Sequence, residues 1–310
     1  MTNKLVTLIG GGGFLGRYVA RELMRDGTRV RVAQRDPRQA YFLRTQGGLG
    51  QTQFLAVDIA RPETVARAVE GADAVVNLVG VMGRNMQAIH VDGARAVAEA
   101  ARKAGAEALV HVSAIGADAN GAAAYARSKG QGEEAVRAAF PNATILRPSI
   151  VFGREDQFVN RFAGMMASPI VPVLRAGVKF QPVFAGDVGQ AVANALRDPE
   201  AHGGKTYELG GPDVLSMGEL LRWIAQALGR KPNFVDVPDF AGALLARLPG
   251  SPISWDQWLM LQKDNVVAAG APGLAALGVE AAPLATVAPE YLIRFRKAGR
   301  FGRRAETLAA

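Results

Sequence analysis

A chain of 310 residues, 49% hydrophobic and 21% charged, has room for one large domain or two modest ones, and its composition is globular rather than fibrous or disordered. It holds no cysteine and three scattered histidines (His90, His111 and His202), which excludes disulfides, thiolate metal sites and a cysteine nucleophile and leaves no metal cluster to expect. The net charge of +8 is local, because "YLIRFRKAGRFGRR" near the C-terminus carries six basic residues and no acid, which argues against a diffuse nucleic-acid-binding surface.

The N-terminal "MTNKLVTLIG" enters a strand-like run at once, with too short an apolar core for a secretory signal. No run reaches the roughly 18 to 20 apolar residues of a membrane-spanning helix. The expected location is the cytoplasm, with peripheral attachment to the inner face of the cytoplasmic membrane as an extension of that reading.

Short runs rich in Val, Ile and Leu at 5–9, 29–33, 53–57, 74–78, 109–113 and 144–147 read as strands. Between them lie helical segments: "FLGRYVARELMRDG", "RPETVARAVEG", "DGARAVAEAARKAG" and "YARSKGQGEEAVRAAF". Each stops near a glycine or proline. Strict alternation predicts an α/β protein with a doubly wound parallel sheet, a Rossmann fold. Residues 1–150 are predicted to form the dinucleotide-binding domain, with 181–200 returning to it, and 151–310 a smaller C-terminal lobe for substrate or partner. Within that lobe "SPIVPVLRAGVKFQPVFAGDV" reads as a proline-punctuated loop, "KTYELGG" as a strand and "SMGELLRWIAQALG" as a helix capped by Ser216. Trp255, Trp258, Leu259 and Met260 fit core packing better than a lipid-tail pocket.

The first strand runs into "GGGGFLG", where Gly10, Gly13 and Gly16 form G-x-x-G-x-x-G and open a helix. Glycines there allow a tight turn and bring backbone N–H groups to a pyrophosphate, which the helix N-terminus favours. The second strand ends in Gln34 and Arg35, where an Asp or Glu would hold the 2′-hydroxyl of NAD(H). Arg35 can instead grip a 2′-phosphate, and Asp36 comes a place or two late, so NADP(H) is the expected cofactor. Asp58-Ile59 after the third strand and Asn77 to Gly80 after the fourth fit the same cleft.

Tyr125 and Lys129, in "YARSK", stand four apart on one helix face. An ammonium beside a phenol lowers its pKa, so Tyr125 can serve as general acid or base, with Ser113 holding a substrate oxygen. The basic tail alternates Tyr291, Leu292 and Phe295 with Arg294, Arg296, Lys297, Arg300, Arg303 and Arg304. Its apolar residues face either the protein body or an anionic membrane surface.

The glycine loop, Asp58, Ser113, Tyr125 with Lys129, "LRPSIVFG" and "QPVFAGDVGQAV" together resemble an extended, atypical short-chain dehydrogenase/reductase. More narrowly, "GFLGRYV", "LGQ", "NLVG", "HVSA", "FGREDQF" and "QPVFAGDV" are similar to the NADPH-binding accessory subunit of respiratory complex I and a related ubiquinone-biosynthesis protein. The similarity covers nearly the whole chain and is strongest from Val6 to Gly189. It implies cofactor contacts from Gly10, Gly13, Phe14, Leu15, Gly16, Gln34, Arg35, Asp58, Ile59, Leu78, Val79, Gly80, Tyr125, Lys129 and Pro148, and catalytic positions at Tyr125, Lys129 and Ser113. It also implies NADPH held as a structural or redox-sensing ligand, with respiratory-complex or ubiquinone-linked partners. An active NADP(H)-dependent oxidoreductase, acting on a carbonyl, hydroxyl or quinone-like substrate, and a sugar-nucleotide epimerase or dehydratase are the alternatives. One departure stands out: His90, in "AIHVDGARAV", replaces the Asn with which extended members prop the proton relay.

Overall fold

The computed structural model describes residues 4–297 and 299. In chain order the elements of the first half are β1 (Leu5–Ile9), α1 (Phe14–Arg25), β2 (Arg29–Gln34), β3 (Thr52–Ala56), α2 (Pro62–Val69), β4 (Ala74–Asn77), α3 (Ala94–Lys103), β5 (Ala108–Val112), α4 (Ala124–Ala139) and β6 (Thr144–Pro148). Then come β7 (Val151–Phe152), α5 (Val159–Met165), β8 (Ile170–Leu174), β9 (Lys179–Phe180), β10 (Val183–Phe184), α6 (Ala185–Arg197), α7 (Pro199–His202) and β11 (Thr206–Leu209). The last are β12 (Leu215–Ser216), α8 (Met217–Leu228), β13 (Asn233–Val237), α9 (Asp239–Leu245), α10 (Trp255–Met260) and α11 (Leu284–Leu292). No helix among the described residues is long and apolar enough to cross a membrane.

The chain divides into two compact units. The first takes the chain up to Pro148, then Ala185–Leu209 and Val267–Glu280. Its core is a seven-stranded sheet in the order β11-β6-β5-β4-β1-β2-β3, every pairing parallel. This is the doubly wound arrangement, and the strand order reverses between β1 and β4. Covered on both faces, the central strands are apolar along their length: all five residues of β5 and all four of β4 are buried. Polar side chains at such positions are therefore conspicuous, and β4 ends on Asn77 while β5 carries His111. The second strand–helix boundary is set by chemistry already in the sequence, with Pro62 at the start of α2 where its missing N–H costs nothing.

The second unit takes Ser149–Phe184, Gly210–Val266 and the chain from Ala281. Where the sequence suggests a loop, three short strands form: β8 pairs with β13, β9 with β12 and β10 with β7. Proline at Pro172 is accommodated because β8 belongs to a two-stranded ribbon with a free edge. Ser216 caps α8 in a full capping box with Glu219, and Gly229 closes the helix in the left-handed region. The core gathers Phe152, Phe180, Leu220, Leu221 and Ile224 with Tyr291 and Leu292 of α11. Tyr291 and Leu292 thus face the protein body, and Phe295 packs against the same core. Arg294 donates to the Arg154 carbonyl at 2.8 Å and Arg296 to the Ala227 carbonyl at 3.1 Å. Arg300, Arg303 and Arg304 lie outside the described residues. Trp258 is buried with Ala246 and Ile253, as core packing requires, whereas Trp255 points outward.

The "FGREDQF" segment is a hub of this unit. The Asp156 carboxylate is buried, accepts from the backbone N–H of Gly153 (3.1 Å) and Asn160 (3.2 Å), and from the Tyr291 hydroxyl (3.3 Å). Burial pushes its pKa up, against these three donors. Replacing Asp156 with Ala strands all three donors, so urea unfolding of D156A should show a loss of about 2 kcal/mol or more at unchanged slope.

Candidate functional site

The site is built at the C-terminal ends of the central strands of the first unit. β1 delivers the chain into the glycine loop. Gly10 adopts φ +84°, a conformation L side chains rarely take, and a Cβ on Gly16 would lie 2.3 Å from the Gly11 carbonyl oxygen. Helix α1 therefore starts hard against the loop, with Gly13 as N-cap, no side chain capping it and no acid in its first turn. An uncapped helix start of this kind leaves its first N–H groups and its positive dipole end for an anion. Phe14 and Leu15 begin that helix, half-buried, and Phe14 meets Tyr18 edge-on at 5.9 Å.

Gln34 folds over the loop: its side-chain oxygen would collide with any Cβ on Gly12, and its amide donates to the Asp36 carbonyl at 2.6 Å. Asp36 itself is spent on Arg38, accepting from its Nε at 2.9 Å and its backbone N–H at 3.2 Å, which holds the carboxyl below its usual range. Arg35 is exposed and makes no hydrogen bond or ion pair among the described residues. On the next strand the Asp58 carboxylate accepts from the Ala60 backbone N–H at 3.1 Å, and Ile59 is buried in the apolar core. Leu78 donates from its backbone to the Ile9 carbonyl at 2.9 Å, carrying the Leu78-Val79-Gly80 segment past the end of β1. Pro148 closes β6, where its carbonyl accepts from the Ile115 N–H at 3.0 Å.

Helix α4 carries Tyr125, Lys129 and Glu133 at successive i, i+4 positions. Lys129 is buried and its ammonium donates to the Val112 carbonyl at 3.1 Å. Desolvation pulls its pKa down to about 8, opposed by the charge of Glu133. Glu133 is also buried, held by a two-pronged contact from Arg147 (2.9 and 2.7 Å), whose third nitrogen meets Glu208 at 3.5 Å. Burial pushes the Tyr125 phenol up to about 12. The lowering expected from Lys129 does not act on the phenol here; desolvation of the phenolate alone sets the shift. A Cβ on Gly80 would lie 3.4 Å from the Lys129 ammonium, which places the β4 loop directly beside the pair.

His90 sits in a short π-helical turn, Ala88–Gly93, ahead of α3. Its Nε2 accepts from the Val81 backbone N–H at 2.9 Å, so its proton rests on Nδ1, 2.9 Å from the Ser128 hydroxyl. Ser128 in turn donates to the Tyr125 carbonyl at 3.0 Å. Burial, with the nearby Lys129 charge, lowers the imidazole to about 4. His90 is thus a neutral clasp between the β4 loop and α4, with both nitrogens committed. Its carbonyl is pressed by α4: a Cβ on Gly132 would come within 2.1 Å of it.

Two polar groups in this region complete the picture, and sequence reasoning passed over the first. His111 Nδ1 accepts from the Asn77 amide at 3.2 Å, and the Asn77 oxygen accepts from the Val79 N–H at 3.1 Å. His111 Nε2 and the Ser113 hydroxyl are both buried and have no hydrogen-bond partner among the described residues. The signal was present: His111 and Ser113 are two apart, hence on one face of a strand otherwise apolar, and Asn77 pairs with His111 in register. No group of His, Asp or Glu suited to a metal is present among the described residues.

Residues 6–210 match the NAD dependent epimerase/dehydratase family. Over 96% of this chain and 81% of the relative, the sequence is 36% identical to NADH dehydrogenase (ubiquinone) 1 alpha subcomplex subunit 9 of Rattus norvegicus. It is 32% identical to a ceramide reductase of Caulobacter vibrioides, over 78% of this chain and 77% of that one. In fold, the Escherichia coli NADPH-dependent quinone oxidoreductase complexed with NADPH superposes with a TM-score of 0.75 at 18% identity, covering 93% of this chain and 99% of that one. The chain belongs to the NAD dependent epimerase/dehydratase family and, within it, groups with the complex I accessory subunit; it binds a nicotinamide dinucleotide.

His90 and His111 both have folded pKa values below their ordinary value, about 4 and about 3. The unfolded chain therefore binds more protons than the folded one as pH falls below about 6.5, and stability present above that pH is lost progressively toward about pH 3. Urea midpoints should drop by the equivalent of roughly 2–4 kcal/mol between about pH 7 and pH 5, and H111N should flatten that slope.

Proposed function

We propose that this member of the NAD dependent epimerase/dehydratase family holds NADP(H) as a resident ligand, serving a respiratory-complex or quinone-linked assembly rather than rapid turnover. When bound, the dinucleotide would supply hydride-transfer capacity. What this chain does is hold it. The uncapped start of α1 and the loop at Gly10 to Gly16 are suited to the pyrophosphate, and Phe14 and Leu15 to its flank. Arg35, unpartnered while Asp36 is tied to Arg38, favours a 2′-phosphate over a 2′-hydroxyl. Gln34, Asp58, Ile59, Leu78, Val79, Gly80 and Pro148 are proposed to line the remainder.

The observation that carries the holding role is the state of the proton-handling groups. His90 stands where extended relatives carry a relay Asn, and both of its nitrogens are bonded to fixed partners. Tyr125 is pushed up to about 12, far from a working acid or base at neutral pH. An active oxidoreductase is the second reading, favoured by the unpartnered Ser113 hydroxyl, which could hold a substrate oxygen, and by the relative named as a ceramide reductase. There Tyr125 would exchange a proton with substrate, Lys129 would tune it and Ser113 would orient the substrate. Basic residues beyond Lys297 are proposed to add attraction to an anionic membrane.

Arg35→Asp should weaken NADPH at least about tenfold relative to NADH in a fluorescence titration, and equal loss of both would remove the NADP(H) assignment. Tyr125→Phe should leave NADPH binding and its slow background oxidation unchanged. Loss of a measurable carbonyl or quinone reductase activity in that variant would instead establish the second reading.

A further inference from the structure

Helix α9 inverts the usual order of a helix on a globular protein. On the side facing its own unit, Gly242 lies so close to the Trp258 ring that a Cβ would fall 2.5 Å from it, Ala246 is buried, and Leu245 is the one large residue of the helix packed against that cluster. Three other large apolar side chains point out, with Phe240 78% exposed, Leu244 61% and Leu248 54%, spaced four apart. Trp255 follows at 37% exposure, and the Arg247 guanidinium stacks on its ring at 4.3 Å. Exposure on this scale in one segment is costly in water and calls for a partner.

The charges say which kind. From Phe240 to Trp255 the sequence contains no acid, and Asp256 follows directly. Asp239, just before Phe240, is already paired with Arg175. Arg247 has no carboxylate partner among the described residues, nor has Arg161, which donates to the Pro252 carbonyl inside the same segment. Two uncompensated guanidinium groups thus flank a row of Phe, Leu, Leu and Trp. A second copy of this chain docking here by two-fold symmetry would set those cations against themselves. An anionic bilayer surface compensates them and takes the apolar side chains into its acyl boundary, with an arginine-stacked tryptophan at the depth where that residue is favoured.

We propose that the α9 segment, Phe240 to Trp255, is a membrane-surface docking site for anionic phospholipid. Its apolar row inserts at the interface, and Arg161 and Arg247 meet the headgroup phosphates. The surface is separate from the basic tail and does not depend on the cofactor assignment.

The test is co-sedimentation of the full chain with phosphatidylcholine vesicles and with mixed phosphatidylcholine–phosphatidylglycerol vesicles. Wild type should partition onto the mixed vesicles with a blue shift in tryptophan emission that W255F diminishes. F240S/L244S should lower that partition at least about tenfold, since each side chain forfeits most of its transfer free energy. R161Q/R247Q should lessen the preference of the full chain for phosphatidylglycerol, and a chain ending at Lys297 should keep the α9-dependent part, with that preference then lost on R161Q/R247Q. All five replaced side chains are exposed, so unfolding temperatures should hold, and the emission shift of wild type is read without any variant. Unaltered partition of F240S/L244S overturns the proposal. So does failure of wild type to bind the mixed vesicles, or a wild-type dimer that F240S/L244S converts to monomer.

Discussion

A lysine that is almost wholly removed from water must be kept both charged and placed, and much of the first unit is arranged to do so. Lys129 donates one hydrogen bond to the Val112 carbonyl at the end of β5, and Glu133, one turn along α4, supplies the counter-charge. Glu133 is itself buried and is tolerated only because Arg147 on β6 grips both its oxygens, while Glu208 on β11 shares that arginine. One chain of alternating charge therefore ties α4 to three neighbouring strands. Desolvation still costs the ammonium, whose pKa settles near 8, so it remains protonated at neutral pH with little to spare. Such a network is weak evidence of net stability, but it fixes the face that α4 turns to the β4 loop.

That fixed face determines what the neighbouring groups can do. The same helix presses Gly132 on the His90 carbonyl, and the Ser128 hydroxyl accepts a hydrogen bond from His90 Nδ1. The imidazole is thereby held in one tautomer, neutral across the physiological range. A relay group must exchange partners during a proton transfer, and a group already satisfied at both nitrogens does so only by breaking one bond to the backbone or to α4. The arrangement favours rigidity over proton traffic, and the proposed holding role rests on it. The unsatisfied atoms lie elsewhere, on His111 and Ser113, where a ligand oxygen or an ordered water would restore the lost hydrogen bonds.

The sequence made the parallel sheet legible because buried strands and amphipathic helices write their periods locally, and the glycine loop because only glycine suits Gly10 and Gly16. The capping box at Ser216 was legible for the same reason, being complete within four residues. What stayed hidden was pairing at a distance. Glu133 with Arg147, and Asn77 with His111, are contacts across elements, and nothing in either local window announces its partner. The strand at Ile170–Leu174 was hidden by its own proline, that at Lys179–Phe180 by its two-residue length, and both by partners more than thirty residues on, in β13 and β12.

The basic tail and helix α9 show the same limit from opposite sides. "YLIRFRK" alternates apolar and cationic residues as a membrane-surface segment would, yet Tyr291 and Leu292 are core and Arg294 and Arg296 are spent on carbonyls. "DFAGALL" has no such alternation, yet Phe240 and Leu244 face out. The difference lies in which side the rest of the unit covers. Trp258 leaves room for nothing larger than glycine at position 242, so α9 must dock by its small face and turn Phe240 and Leu244 to solvent. The spacing of apolar residues along a helix gives the direction of a stripe but not which neighbour it meets. A single close approach, here of an indole ring to a glycine, decides whether the stripe is core or surface.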